Sequence, residues 1–201
     1  MIDSFLSAGV KVFTGAQAHW LRNSPPDSKR PQIYFANHSS HLDFLLLWAV
    51  LPQILRRQTR PVAARDYWIQ RPLRRWLATH VFRAALIERS HVTRENNPVS
   101  QLSEILEQGE SLILFPEGTR GSGETMQSFK SGLYHLASHH LEAELIPVYL
   151  QNLNRVMPKG EILAIPLICS VSFGESISLQ DGESKTDFLQ RARAAIEALN
   201  H

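Results

Sequence analysis

Apolar residues along this chain fall into short bursts with two periods. Between residues 2 and 21 they recur mostly at three- and four-residue steps, through Ile2, Phe5, Leu6, Val10, Phe13, Ala16, Trp20 and Leu21, which predicts an amphipathic helix. Gly9 and Gly15 weaken that helix from inside. The pattern suits a helix packed on a core as well as one lying in a membrane interface. Asn23, Ser24, Pro25, Pro26 and Asp27 end it and form a linker. Beyond the linker, runs rich in strand formers predict strands over 33–36, 61–64, 84–88, 111–115, 145–150 and 167–173. Between them lie helical patterns over 40–51, 66–80, 98–108, 129–140 and 186–199, with Pro72 marking a kink or break and Gly109 a helix stop. Strands alternating with helices imply an α/β domain with a largely parallel sheet.

Composition narrows the class. With 201 residues, 43% hydrophobic and 20% charged, the chain reads as one globular domain able to bury a sizeable core. No apolar stretch reaches the roughly 18 residues of a spanning helix. The longest without a proline runs from Phe44 to Leu51, and the start lacks a basic leader region, so neither a transmembrane helix nor a cleavable signal is expected. Cys169 is the one cysteine, which excludes an intrachain disulfide and a redox pair, and its apolar surroundings suit a buried thiol. Collagen, coiled coil, disulfide scaffold and integral membrane protein are all excluded.

Charge is spread unevenly. Residues 1–83 carry twelve Lys or Arg against four acids, and residues 84–201 carry nine against fifteen. Eight arginines (Arg56, Arg57, Arg60, Arg65, Arg71, Arg74, Arg75 and Arg83) lie between positions 56 and 83, with Tyr67, Trp68 and Trp76 among them and Asp66 as the lone acid. Arginine with tryptophan suits an anionic lipid surface. It also suits nucleic acid, although the acidic second half argues against that.

Three polar clusters each follow a predicted strand, at the strand ends where open α/β sheets bind ligands. The first is Asn37-His38-Ser39-Ser40-His41-Leu42-Asp43. On a regular helix His38 and Asp43 would stand about 140° apart. If His38 precedes the helix and Asp43 opens it, the carboxylate can hold Nδ1–H and leave Nε2 to take a proton from a hydroxyl. Ser40 is a candidate N-cap, and Ser40-x-x-Asp43 is nearly a capping box, which offers Asp43 a purely structural role. His41 with His38 would make a weak metal site. The second cluster, residues 115–123, reads Phe-Pro-Glu-Gly-Thr-Arg-Gly-Ser-Gly. Its glycines allow a tight turn whose amides can face an anion, and Arg120 adds a phosphate-binding fork. Glu117 would orient Arg120 or bind a hydroxyl, and Lys130 opens the next helix with a further charge. The third cluster ends in Arg89.

Taken together these residues resemble the glycerophospholipid acyltransferase family, the relatives of 1-acylglycerol-3-phosphate acyltransferase. The family's Asn-His-x-Ser-x-x-Asp block is matched by Asn37, His38, Ser40 and Asp43, and its Phe-Pro-Glu-Gly-Thr-Arg block is complete at 115–120. Arg89 corresponds to the arginine block between them, and Leu145-Ile146-Pro147-Val148 to the later hydrophobic block. His41 stands where the family often has an aromatic, and Arg83 or Ala84 where a glycine is usual.

The resemblance implies a glycerol-3-phosphate acyltransferase-like fold, a mixed, largely parallel sheet flanked by helices in residues 30–201, preceded by the amphipathic helix of residues 1–24. It implies transfer of an acyl group from acyl-CoA or acyl-carrier protein to a lysophospholipid hydroxyl, with lysophosphatidic acid as default acceptor. Glycerol-3-phosphate, another lysophospholipid or a lyso-aminolipid would be alternatives. A non-catalytic membrane lipid-binding protein is the rival from another class. In the family reading His38 is the base and Asp43 its orienter. Arg89 and Arg120 hold the acceptor phosphate, and Glu117, Gly118, Thr119 and Lys130 shape the substrate site. No metal or organic cofactor is required. The partners are an anionic membrane surface and the acyl donor, not nucleic acid, and the place is peripheral, on the cytoplasmic side of a membrane.

Overall fold

A computed structural model describes residues 2–21, 29–40, 42–88, 93, 96–121, 125–151 and 169–200. The residue-23-to-27 linker, His41, Arg89 and the start of the 167–173 strand lie outside the described residues. The described strands are β1 (Gln17–Trp20), β2 (Gln32–Ala36), β3 (Thr59–Ala64), β4 (Ala85–Ile87), β5 (Ser111–Leu114), β6 (Glu144–Gln151) and β7 (Ser170–Phe173). They form one sheet in the order β1-β7-β6-β2-β5-β3-β4. Every pairing is parallel except β6 with β7, so the sheet is mixed and largely parallel.

Strand β2 is central, and all five of its residues are buried, as expected when both faces of a parallel sheet are covered. Its alternation sorts the core into two clusters. Tyr34 and Ala36 face a layer containing α2 (Asp43–Val50), on which α1 (Ile2–Thr14) packs. Ile33 and Phe35 face α6 (Pro98–Glu107), α7 (Gly132–His139) and α8 (Lys185–Glu197). On that side Phe188, Ala192 and Ile196 form the buried stripe of α8.

The predicted first helix is shorter than its apolar pattern. Gly15 takes φ 57°, a left-handed conformation that ends α1, and the chain then adds β1 in parallel to β7. Leu6 and Val10 pack on the core, whereas Phe5 and Val12 on another side are 79% and 85% exposed. Like Thr14, Ser7 is a polar residue of the buried side. Its hydroxyl donates to Ala49 O at 2.8 Å and accepts from Arg56 Nη1 at 2.7 Å.

The helix after the first polar cluster starts at Asp43 and not at Ser40, with Leu42 as N-cap. A second helix that periodicity does not reveal, α3 (Gln53–Gln58), follows it. The 66–80 pattern breaks at Pro72, as a proline inside a helical run requires, into α4 (Arg65–Trp68), α5 (Pro72–Trp76) and a π-helical turn at Leu77–Val81. Gly109, at φ 77°, ends the 98–107 helix.

The arginine-rich stretch is not one solvated face. Arg56 is buried and donates to Leu51 O at 3.2 Å, satisfying a carbonyl at the end of α2. Arg60 and Arg83 both pair with Glu110. Arg74 stacks 4.4 Å from the centre of the Tyr67 ring. Arg65, Arg71 and Arg75 are exposed and have no ion-pair partner among the described residues.

Candidate active site

Strands β2, β5 and β6 are neighbours and parallel, so their carboxyl ends open at the same edge of the sheet. The loops after β2 and β5 therefore meet. Two hydrogen bonds join them: His38 N donates to Glu117 Oε1 at 2.7 Å, and Gly121 N donates to His38 O at 2.9 Å. On the other side, Asn37 uses its amide as a substitute backbone. Its Nδ2 donates to Leu150 O at 3.0 Å, and its Oδ1 accepts from Leu150 N at 2.8 Å. His38 is thus gripped by its own peptide groups before its side chain makes any contact.

The side chain then meets Asp43. His38 Nδ1 lies 2.8 Å from Asp43 Oδ2, and Oδ2 also accepts from Ser39 N at 2.7 Å and Ser40 N at 2.9 Å. The fold-back needed to bring the two residues together is made by that pair of backbone donors, with the acid as the first residue of α2. Asp43 is fully buried, and its Oδ1 has no hydrogen-bond partner among the described residues. An oxygen that accepts three bonds acts as a carboxylate acceptor, and such a partner fixes the proton of a neutral His38 on Nδ1. The ring stacks on Phe115 with centroids 4.3 Å apart, and Nε2 has no partner among the described residues. The arrangement can hold an imidazole in one tautomer and offer its other nitrogen as a base.

Glu117 does not orient Arg120. Its carboxylate is buried and is filled by two backbone donors, His38 N through Oε1 and Gln127 N through Oε2 at 2.8 Å. Nothing in a local reading signals this, because one of the partners lies 79 positions away. The glycine-rich turn also uses its amides internally. Gly118 N donates to Phe115 O at 3.0 Å, and Gly121 N to His38 O. Gly118 takes φ 71°, which requires glycine, and a Cβ there would lie 3.3 Å from Lys130 Cγ. Lys130 N donates to Pro116 O at 2.7 Å, so the next segment is tied over this turn. Thr119 and Lys130 are exposed, and Arg120 is half-buried with no ion-pair partner among the described residues.

The strand that leads into the third cluster is not adjacent to the strands of the other two. Its strand β4 forms the far edge of the sheet, separated from β5 by β3, and Arg89 itself lies outside the described residues. Burial pushes the Cys169 thiol up to about 11, with the Asp43 charge adding to it. Among the described residues no group of three His, Cys, Asp or Glu is placed to share a metal ion, and no helix is long and apolar enough to cross a membrane.

A cavity of about 210 Å³ opens beside His38. The β2 and β5 loops wall one side with Asn37, His38 and Glu117. Residues that sequence reading does not single out wall the other: Tyr149 on β6, and Arg193, Glu197 and Asn200 on and after α8. No spacing rule links these positions to His38; the packing of α8 against β6 brings them there.

Known proteins resemble this chain in sequence and in fold. The family model "Acyltransferase" matches residues 16–151. The 1-acyl-sn-glycerol-3-phosphate acyltransferase alpha of Mus musculus is 31% identical over 159 residues, which is 76% of this chain and 50% of the mouse protein. A 1-acyl-sn-glycerol-3-phosphate acyltransferase of Chlamydomonas reinhardtii is 30% identical over 142 residues, 69% of this chain and 39% of the algal protein. The chain thus spans about half or less of the length of these curated relatives. The crystal structure of PlsC, the 1-acyl-sn-glycerophosphate (LPA) acyltransferase of Thermotoga maritima, superposes with a TM-score of 0.76, covering 98% of this chain and 77% of that one at 18% identity, and so shares the fold. The mixed seven-stranded sheet, the paired loops at its carboxyl edge and the match across 16–151 place this chain in the acyltransferase family.

Proposed function

We propose that the protein is an O-acyltransferase that moves an acyl group from a thioester, acyl-CoA or acyl-carrier protein, to the free hydroxyl of a lysophospholipid. The relatives' names put 1-acyl-sn-glycerol-3-phosphate, lysophosphatidic acid, first among acceptors, with phosphatidic acid as product. The observation that carries this reading is the bond of His38 Nδ1 to Asp43, with Nε2 left free of partners among the described residues.

In the proposed step Nε2 takes the hydroxyl proton while the oxygen attacks the thioester carbonyl. Asp43 stabilises the imidazolium that forms. The C–O bond forms, the C–S bond breaks, and the departing sulfur receives the proton from His38, leaving an ester and a thiol. No protein nucleophile and no metal enter this scheme. Arg120, Arg89 and Lys130 would serve the acceptor phosphate. Glu117, Gly118 and Thr119 would shape its surroundings, Glu117 by fixing the peptide of His38.

The protein would work as a peripheral protein on the cytoplasmic side of an anionic membrane. Exposed Phe5, Val12 and Phe13 on α1, exposed Leu73 and Trp76 on α5, and Arg65, Arg71 and Arg75, unpaired among the described residues, support this. The apolar residues among them can enter the interface while the arginines meet headgroup phosphates. The test is transfer of labelled acyl groups from acyl-CoA, and in parallel from acyl-carrier protein, to lysophosphatidic acid, with His38→Ala as control. Labelled phosphatidic acid that vanishes in the variant is expected. No product from folded protein with either donor would overturn the assignment of acceptor, and vesicle binding that persists without any transfer would favour a lipid-binding protein.

A further inference from the structure

Two hydrogen-bond ladders stop together just before His38. In β2, Ala36 pairs with Val148 of β6, and Phe35 pairs with Leu114 of β5. Strand β6 runs on to Gln151, still paired with β7, whereas β2 ends at Ala36. Carried on in the same register, β2 would set His38 opposite Leu150 on one side and opposite Glu117 on the other. The slanted bonds of a parallel ladder join a residue to the two that flank its partner. Leu150 N would then donate to Asn37 O, and Leu150 O would accept from Ser39 N. The chain does neither. Asn37 Oδ1 accepts from Leu150 N at 2.8 Å, and Asn37 Nδ2 donates to Leu150 O at 3.0 Å. Ser39 N is released and donates to Asp43 Oδ2 at 2.7 Å. On the β5 side a side chain again replaces the backbone, since His38 N donates to Glu117 Oε1.

We infer that Asn37 is a positioning residue for the base, a role that rests on the acyl-transfer reading above: its side chain ends the β2–β6 ladder and so frees the peptide of Ser39 to hold Asp43 against His38. The residue type follows from the task. Leu150 is buried, so its N–H and C=O need partners where β2 supplies none. Asparagine carries an acceptor and a donor on one planar amide, as a peptide group does. Aspartate has the acceptor without the donor, and its charge would face the Leu150 carbonyl. Without the amide, Leu150 regains its partners when residues 37–39 rejoin the ladder. That rearrangement takes Ser39 N away from Asp43, which would keep Ser40 N alone as backbone donor. It also draws the peptide of His38 into a strand, away from the fold-back that brings Nδ1 within 2.8 Å of Oδ2. Extending the sheet and assembling the site therefore compete for the same peptide groups. Asn37 decides that competition without touching the reacting atoms.

The test separates positioning from stability. Asn37→Ala is assayed well below its melting point, with calorimetric melting alongside. Its kcat for transfer to lysophosphatidic acid should fall on the order of 100-fold, the effect of a misplacement of about 1 Å, while KM for lysophosphatidic acid and for acyl-CoA each stay within about threefold. Asn37→Asp keeps the bond from Leu150 N, so its kcat should lie between those of the parent and Asn37→Ala, and it carries the test if Asn37→Ala does not fold. In an Asp43→Asn background the Asn37→Ala change should lower kcat by no more than about fivefold, because the carboxylate it positions is already gone. NMR of the ¹⁵N-labelled protein reads the site without turnover. The His38 Nδ1–H signal, assigned by its absence from His38→Ala, should be sharp and far downfield in the parent and lost in Asn37→Ala. A folded Asn37→Ala with kcat within about threefold of the parent, an undiminished loss in the Asp43→Asn background, or an unchanged Nδ1–H signal overturns the inference and leaves the transfer reading standing. In a protein that transfers no acyl group, loss of the Nδ1–H signal on Asn37→Ala upholds the positioning and sinks the reaction.

Discussion

Replacing Asp43 by asparagine separates the charge of this residue from its shape. Oδ2 receives His38 Nδ1, Ser39 N and Ser40 N, while Oδ1 is buried without a partner among the described residues. The amide oxygen of the Asp43→Asn side chain would therefore keep the position of Oδ2, since the reverse flip would aim an NH₂ at three donors. All three bonds survive as geometry, and each loses its charge assistance, about 1 kcal/mol apiece. The amide nitrogen takes the Oδ1 place and meets no acceptor, as Oδ1 itself meets no donor, so the two offset. At roughly 2–4 °C per kcal/mol for a chain of this size, melting should fall by about 6–12 °C with the fold retained at low temperature. The rate effect has another origin. A carboxylate beside the forming imidazolium stabilises it by on the order of 4 kcal/mol at an effective dielectric of 20. Its loss should slow acyl transfer by about a thousandfold. The assay is single-turnover transfer to lysophosphatidic acid at saturating donor, at a temperature well below the new melting point, with calorimetric melting alongside. A folded Asp43→Asn protein that transfers within tenfold of the parent would refute the reasoning, because the tautomer and charge argument leaves no route to that result.

Other perturbations test other links. Glu117→Gln keeps one acceptor and leaves either His38 N or Gln127 N unpaired in a buried place, so melting should drop by roughly 3–12 °C; an unchanged melting point would show that water replaces the lost bond. Phe5→Ser with Phe13→Ser should weaken sedimentation with anionic vesicles while changing stability by no more than about 0.5 kcal/mol per site, because both rings are exposed. Deleting residues 2–20 should instead unfold the protein, since it removes α1 from the core and β1 from the sheet; a folded truncation would contradict the pairing of β1 with β7. Cys169 gives a pH signature. Its thiol is near 11 in the fold, against an ordinary value of about 8.5 in the unfolded chain, so the stability falls as pH rises above the latter, where the unfolded thiol ionises first, and stops falling once pH passes the former. The urea midpoint should therefore fall between pH 8 and 11 more steeply in the parent than in Cys169→Ala.

What the sequence disclosed depended on how far each residue's partner lay. Strand β2 was legible because a strand buried on both faces is a plain apolar run. Strand β1, Gln-Ala-His-Trp, was not, since it sits at the sheet edge with three exposed residues and carries no period-two signal. The helix at Gln53–Gln58 is too short for a period and holds two apolar positions. In the site, His38 and Asp43 could be paired on paper because their contact is local. The bond from His38 N to Glu117 spans 79 positions, and Arg193 reaches the same cavity from the last helix. Arg56 looked like one more member of a basic run, and only its reach from α3 to the carbonyl at the end of α2 shows it to be interior.

The seat of β1 beside β7 has a consequence for how the chain is made. The first strand ends at Trp20 and its partner begins at Ser170, so about 150 residues must be synthesised between the two, on the order of 10–30 s of translation. Until β7 is made, β1 has no edge to join, and once α1 emerges its apolar residues are open to water or to any nearby lipid. β2 waits as well, for β5 on one side and β6 on the other. Completion of the sheet thus waits for β7, which makes α1 and β1 the described elements with the longest time in which to meet a membrane first.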